Sequence, residues 1–270
     1  MQIIFEKHIE FFERATRRKD YAMTSAHYHD THELYILEKG TTRYLIGDNI
    51  YFLEPFDMIF VPKGVFHKTN AEKSQSTERI LFSFDDRFIS DAYQEYIEQL
   101  KRDNFIRIPT EKQHNIKELI NRIEREERHK SKDYRELQKL LLGELLVLIS
   151  RYRIKPENKN TDGSYLVVKE AVKYISENYS TELGLDFLAK KFALSTSHFS
   201  RLFKEITGIG INEYINNIRI IAAEKMLIET NLPITQIANR CGFNDSNYFA
   251  TVFKKIKGIS PKKFSLSNKS

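Results

Sequence analysis

The sequence predicts a two-domain α+β protein: a small β-barrel or sandwich with flanking helices, followed by an all-helical domain. Three observations carry this. From about residue 22 to residue 84, short β-like segments alternate with turn residues. After residue 85, apolar residues recur at three- and four-residue spacing. Between the two helical stretches, residues 154–164 (IKPENKNTDGS) have no period and are rich in Pro, Gly, Asn and Lys, as a linker is. The expected domains are therefore 1–153 and 165–270, and 270 residues suffice for two separate cores.

Taken in order, TTRYLIG, the turn Gly47-Asp48-Asn49 and IYFL form a hairpin. The turn Glu54-Pro55-Phe56-Asp57 follows, then MIFV, the turn Pro62-Lys63-Gly64, VFHKT, and finally RILFSF. Many short strands with close turns predict a barrel or sandwich. DAYQEYIEQLKR, HNIKELINRIEREER and DYRELQKLLLGELLVLISRYR then carry helical spacing. In the last of these, Leu137, Leu140, Leu141, Leu145, Leu148 and Ile149 make a stripe wider than one face needs. One side is expected to pack on the strands, the other either on a second subunit or within its own domain.

Hydrophobic residues at 41% and charged residues at 30% describe a soluble globular chain. No apolar run of eighteen exists, so no membrane partner is expected. The N-terminal MQIIFEKHIEFFERATRRKD lacks the apolar core of a signal peptide. A lone cysteine, Cys241, excludes an intrachain disulfide and fits a reducing compartment, so the expected location is the cytoplasm. The net charge of +6 is unevenly placed. Residues 1–163 hold 28 basic and 28 acidic side chains, whereas residues 164–270 hold 15 and 9. A surplus at one end suits a polyanion-binding module, although a solvated basic surface would look the same.

The strongest signal is an internal repeat. LAKKFALSTSHFSRLFKEITGIG (188–210) overlays IANRCGFNDSNYFATVFKKIKGIS (237–260). Phe199, Phe203, Lys204, Ile206 and Gly208 match Phe249, Phe253, Lys254, Ile256 and Gly258 at fifty residues, while Ala189 matches Ala238 at forty-nine. Each copy reads as a short helix, a tight turn and a second helix ending at Gly, the form of a helix-turn-helix. Within the second helices, Phe199, Leu202, Phe203 and Ile206, and likewise Phe249, Val252, Phe253 and Ile256, form the inward stripe. Ser197, Ser200, Arg201 and Lys204 face the other way in the first copy, as do Asn247, Ala250, Thr251 and Lys254 in the second. Short polar groups with an Arg at a helix start suit base edges, and lysines one turn later suit phosphates; a solvated face is the alternative. Between the copies, residues 211–230 predict one helix of roughly 19 residues, about 28 Å long. With turns added, such a strut holds two reading helices about one DNA turn (roughly 34 Å) apart.

The string IANRCGFNDSNYFATVFKKIKGISP resembles the signature of the AraC/XylS regulators. LAKKFALSTSHFSRLFKEITG and the linking helix with Tyr214, Arg219, Ile220 and Ala223 fit the same family. The resemblance spans about residues 165–264 and implies a DNA-binding domain of two helix-turn-helix motifs. It implies Ser197, Ser200 and Arg201 as readers in the first unit, and Ser246, Asn247 and Thr251 in the second. Ala250 and Thr251 are poor donors, so less stringent reading is expected there. Cys241 occupies a small-residue turn position and reads as packing.

In the first domain, His27-Tyr28-His29-Asp30-Thr31-His32-Glu33, with Gly40 seven residues on, resembles the first cupin motif. Pro62, Gly64 and His67 resemble the second, although Phe56 stands where its opening Gly would be. The resemblance implies a cupin-like barrel and makes His27, His29, Glu33 and His67 candidate ligands for zinc, iron or manganese. The other reading is a polar cluster, with Tyr35, that binds a small-molecule effector or merely closes the barrel. No cofactor is assigned on sequence alone. Tyr35, Tyr44, Phe60 and Phe66 are the expected walls of an effector site.

The function expected from these features is that of a non-enzymatic, effector-controlled DNA-binding regulator, a homodimer, contacting RNA polymerase if it activates. A metal-dependent cupin enzyme tethered to DNA, and a regulator whose barrel only dimerises, are the alternatives. No nucleophile–base pair or Gly-rich phosphate loop supports another enzyme, and no catalytic residue is named.

Overall fold

A computed structural model describes residues 11–17, 27–71, 76–154 and 162–268. Most of the expected linker, residues 155–161, lies outside these. The chain divides into two compact units, one essentially N-terminal and one carrying residues 161–270.

The N-terminal unit holds eight described strands in two antiparallel sheets. The five-stranded sheet runs β1 (Phe12–Arg17), β7 (Thr77–Phe84), β2 (His32–Lys39), β5 (Met58–Val61), β8 (Phe105–Ile106). The three-stranded sheet runs β4 (Asn49–Leu53), β3 (Thr42–Ile46), β6 (His67–Ala71). Strand alternation distributes the side chains of β2, β5 and β7 to two cores. Leu34, Ile36, Met58, Phe60, Ile80 and Phe82 face the helical layer of α1 (Gln94–Arg102), α2 (Thr110–His129) and α3 (Tyr134–Tyr152). Tyr35, Leu37, Ile59, Val61 and Leu81 face the three-stranded sheet, where Tyr44, Ile46 and Leu53 meet them.

This corrects the expectation of a closed barrel. Among the described residues the strands form two stacked sheets, because the central five-stranded sheet is apolar on both faces and is covered by helices on one. Phe60 is corrected with it: its position in β5 turns it to the helix side rather than into the space between sheets. Phe56 has a left-handed backbone, φ 71°, where the motif would place glycine. Burial of its ring and the amide it donates to the Leu37 carbonyl (2.6 Å) hold it there.

The C-terminal unit is wholly helical among its described residues: α4 (Gly163–Asn178), α5 (Leu185–Lys191), α6 (Thr196–Thr207), α7 (Ile211–Glu229), α8 (Ile234–Arg240), α9 (Ser246–Lys257) and α10 (Pro261–Ser267). The linking segment is one uninterrupted helix of 19 residues, α7. Its N-terminal part packs on the first copy, with Tyr214 against Phe203 at 5.7 Å between ring centres. Ile220, Ala223 and Leu227 further along join Ile237, Ala238, Cys241, Phe249 and Phe253 in the core of the second. One helix thus serves both cores. No described helix is long and apolar enough to cross a membrane.

Candidate functional site

The two copies are built alike. Ser195 caps α6 by accepting the His198 amide (3.3 Å), and Asp245 caps α9 by accepting the Asn247 amide (2.7 Å). Gly208 and Gly258, both with left-handed backbones, end the two helices with amides on the Lys204 and Lys254 carbonyls, each at 2.9 Å. Phe199, Phe203, Phe249 and Phe253 are fully buried, while Leu202 and Ile256 are only half-buried at the stripe's edge.

The opposite faces reach solvent. Ser197, Arg201 and Lys204 are exposed and Ser200 is half-buried on α6; Asn247, Thr251 and Lys254 are exposed and Ser246 and Ala250 half-buried on α9. Among the described residues Arg201, Lys204 and Lys254 enter no ion pair, which leaves their charge available for an anion. The Thr251 hydroxyl is engaged locally, donating to the Asn247 carbonyl at 2.9 Å. Sequence reasoning missed Tyr248. It is 51% exposed beside Asn247, and its hydroxyl accepts a hydrogen bond from Asn216 Nδ2 of α7 at 3.0 Å. The signal was present in the repeat, since His198, also exposed, stands fifty residues earlier.

Arg219 of α7 joins the parts of this unit. Its Nε and Nη2 donate to the carbonyls of Tyr179 (2.8 Å) and Thr181 (2.9 Å), and its guanidinium lies over the Phe243 ring. Cys241 is buried and its thiol is pushed up to about 11 by burial, so it packs as a small apolar residue.

In the N-terminal unit the structure brings together His27, His29 and His67, whose ligand atoms lie within 4.8 Å of one another. Glu33 joins them, with Oε2 at 3.1 Å from His29 Nε2 and 4.0 Å from His67 Nε2. Tyr44 donates its hydroxyl to Glu33 Oε1 at 3.1 Å. Burial pulls the Glu33 carboxyl upward, but the His29 hydrogen bond and the neighbouring imidazoles outweigh it and hold the group at about 2. Burial lowers the His67 imidazole and raises the Tyr44 phenol. Tyr35 lies against Tyr44 (5.1 Å between ring centres), its phenol raised to about 12 by burial. Three imidazoles and one carboxylate oxygen are a donor set that fits a divalent zinc, iron, cobalt or nickel ion.

A helical unit that offers the same polar, cation-bearing helix face twice, carried on a chain with a separate sheet domain, defines a DNA-binding transcription regulator with an N-terminal regulatory domain. Residues 188–266 match the profile of a helix-turn-helix domain, and residues 32–158 match that of the ExsA N-terminal regulatory domain. The two matches together span most of the chain and make it similar to regulators of the AraC family. It is 25% identical over 238 residues to the HTH-type transcriptional activator RhaR of Mannheimia succiniciproducens, covering 88% of this chain and 86% of that one. It is also 25% identical over 240 residues to the activator RhaS of an Enterobacter species, covering 87% and 85%. Among solved structures, the C-terminal domain of AraT, a response regulator from Geobacillus stearothermophilus, is 34% identical over 37% of this chain and 84% of that chain, with a TM-score of 0.37.

Proposed function

We propose that this chain is a transcription activator that reads one stretch of double-stranded DNA with α6 and α9, under the control of a small-molecule effector in the N-terminal domain. Residues 165–270 are the DNA-binding domain, 154–164 the tether, and 1–153 the regulatory domain, which keeps a cupin-like arrangement of strands. Ser197, Ser200 and Arg201 read base edges in the first half-site, and Ser246, Asn247 and Thr251 do so more loosely in the second. Lys204 and Lys254 hold phosphates.

The observation that carries this reading is the exposed polar face presented twice, with cations that pair with no described residue. Activation rests on the relatives, which are named as activators, and implies a contact with RNA polymerase. The cytoplasm is the location such a regulator needs. The effector is placed at His27, His29, Glu33, Tyr35 and His67, because polar groups converge there between the sheets. Dimerisation is assigned to α3, whose Leu137 and Leu140 remain 38% and 63% exposed while Leu141, Leu145 and Ile149 are buried. For the effector to act, it must bind unequally to two states of the regulator.

Affinity for a selected duplex, followed by fluorescence anisotropy, tests the DNA reading: binding should fall linearly with the logarithm of salt. A thermal-shift panel of sugars, short acids and peptides tests the effector reading. Binding insensitive to salt would refute the first, and a flat panel the second.

A further inference from the structure

We propose that Tyr248 and Lys255 form a flank of α9 that grips the DNA backbone beside the second half-site, and that Asn216 of α7 positions Tyr248 for this contact. The inference rests on the DNA reading above and adds to it a second row of contacts, on the side of the helix rather than on its base-reading crest.

Tyr248 and Lys255 stand seven residues apart on α9, so they share one side of the helix and lie about 10 Å apart along its axis. Both are exposed. Their row runs between the outward stripe of Asn247, Thr251 and Lys254 and the buried Val252. A helix with its side chains is about 10–12 Å across, and the major groove is about 12 Å wide. A helix whose crest reaches the base edges therefore brings its flanks against the groove walls, which carry the phosphates. A tyrosine hydroxyl and a lysine ammonium are both phosphate donors. The matching row of the first copy, fifty residues earlier, holds His198 and Glu205, both exposed. A carboxylate on that flank is repelled by phosphate, so the grip belongs to the second unit alone.

Tyr248 is held at two points. Its ring lies 6.1 Å from that of Phe243, which is buried and carries the Arg219 guanidinium over its own face. Its hydroxyl oxygen accepts from Asn216 Nδ2 at 3.0 Å. Because the amide is the donor, the phenol's own proton is committed to no described residue. The side chain is 51% exposed, which leaves that proton to an acceptor outside the protein. A donor fixed in advance loses little freedom on binding. Asn216 sits on α7, the helix that packs into both cores. The strut between the two units thus also orients a side chain that docks the second.

The test uses the full chain and a duplex it has selected, read by fluorescence anisotropy across a salt series. A parallel set of duplexes carries a methylphosphonate at single positions around the second half-site. Tyr248→Phe should bind about 3- to 10-fold more weakly, the worth of one neutral hydrogen bond, with salt slope and base preference unchanged. Its deficit should vanish on the duplex whose accepting phosphate has been replaced. Lys255→Ala should lower the salt slope by about one. Asn216→Ala should weaken binding too, and the double variant with Tyr248→Phe should bind no worse than Tyr248→Phe alone. Lys255→Ala also serves should a Tyr248 variant fail to fold. Native-like affinity of Tyr248→Phe, or an altered base preference, overturns the phosphate contact. An unchanged slope in Lys255→Ala removes Lys255 from the grip. Losses that add in the double variant overturn the positioning role of Asn216. If the native chain binds DNA with steep salt dependence and none of these variants differs from it, this inference falls and the DNA reading stands; if the native chain selects no duplex, both fall.

Discussion

In the first helix-turn-helix unit the left-handed turn residue is Ala193, φ 55°; at the matching place in the second it is Gly242, φ 83°. The first unit presents Arg201 where the second presents Thr251, whose hydroxyl is tied to its own helix. The copies share capped reading-helix starts, phenylalanine cores and helix lengths, while their turns and exposed faces differ. The second turn is packed from outside: a Cβ added at Gly242 would meet the Tyr179 carbonyl at 2.6 Å and the Arg219 guanidinium at 3.0 Å. The second unit is packed more closely at its turn, and under the proposed DNA reading the first is the better equipped to discriminate bases.

Substitutions can break this contrast at each level. The largest effect belongs to Gly242→Ala, which meets both the backbone penalty and the close carbonyl. It should cost about 2 kcal/mol or more in urea unfolding of the C-terminal domain. Arg201→Ala should weaken binding by about 1–3 kcal/mol and relax preference at one position, measured on duplexes varied one base pair at a time. Thr251→Ala should cost well under 1 kcal/mol in the same assay, since its hydroxyl already has a partner; an Arg201-sized loss would erase the distinction between the units. Lys204→Ala and Lys254→Ala should each lower the salt slope by about one without changing base preference. Smallest of all, Ala193→Gly should relieve the left-handed strain and be neutral or stabilising by up to about 1 kcal/mol, the opposite sign to Gly242→Ala.

Much of the C-terminal unit was legible because its information is local. Apolar spacing defined α6, α7 and α9, the repeat defined the turns, and Gly208 and Gly258 marked the ends. The N-terminal unit was less legible because sheets are made by distant pairings. β1, FERATR, carries Glu and two Arg and reads as polar, yet Phe12 to Arg17 pair along β7. β8 spans two residues and has no pattern to detect. Whether Phe60 faces helices or the opposing sheet depends on which side of β5 the helices cover, and alternation alone does not say. The His/Glu cluster was visible as residue types, but the carbonyls that orient His29 and His67 come from loop backbone, where residue identity carries no signal. The exposure of Tyr248 could be anticipated from His198 in the first copy, but its hydrogen bond with Asn216, 32 residues away, could not.

Selecting bound sequences from a randomised duplex library, with the native chain and with Arg201→Ala in parallel, tests the account most directly. Two half-sites on one face of the DNA, about 10 base pairs apart, are expected, one sharply defined and one loose, with only the sharp one blurred by the substitution. A single contiguous site, or two half-sites equally sharp and indifferent to Arg201, would contradict the reading of two unequal helix faces on one duplex.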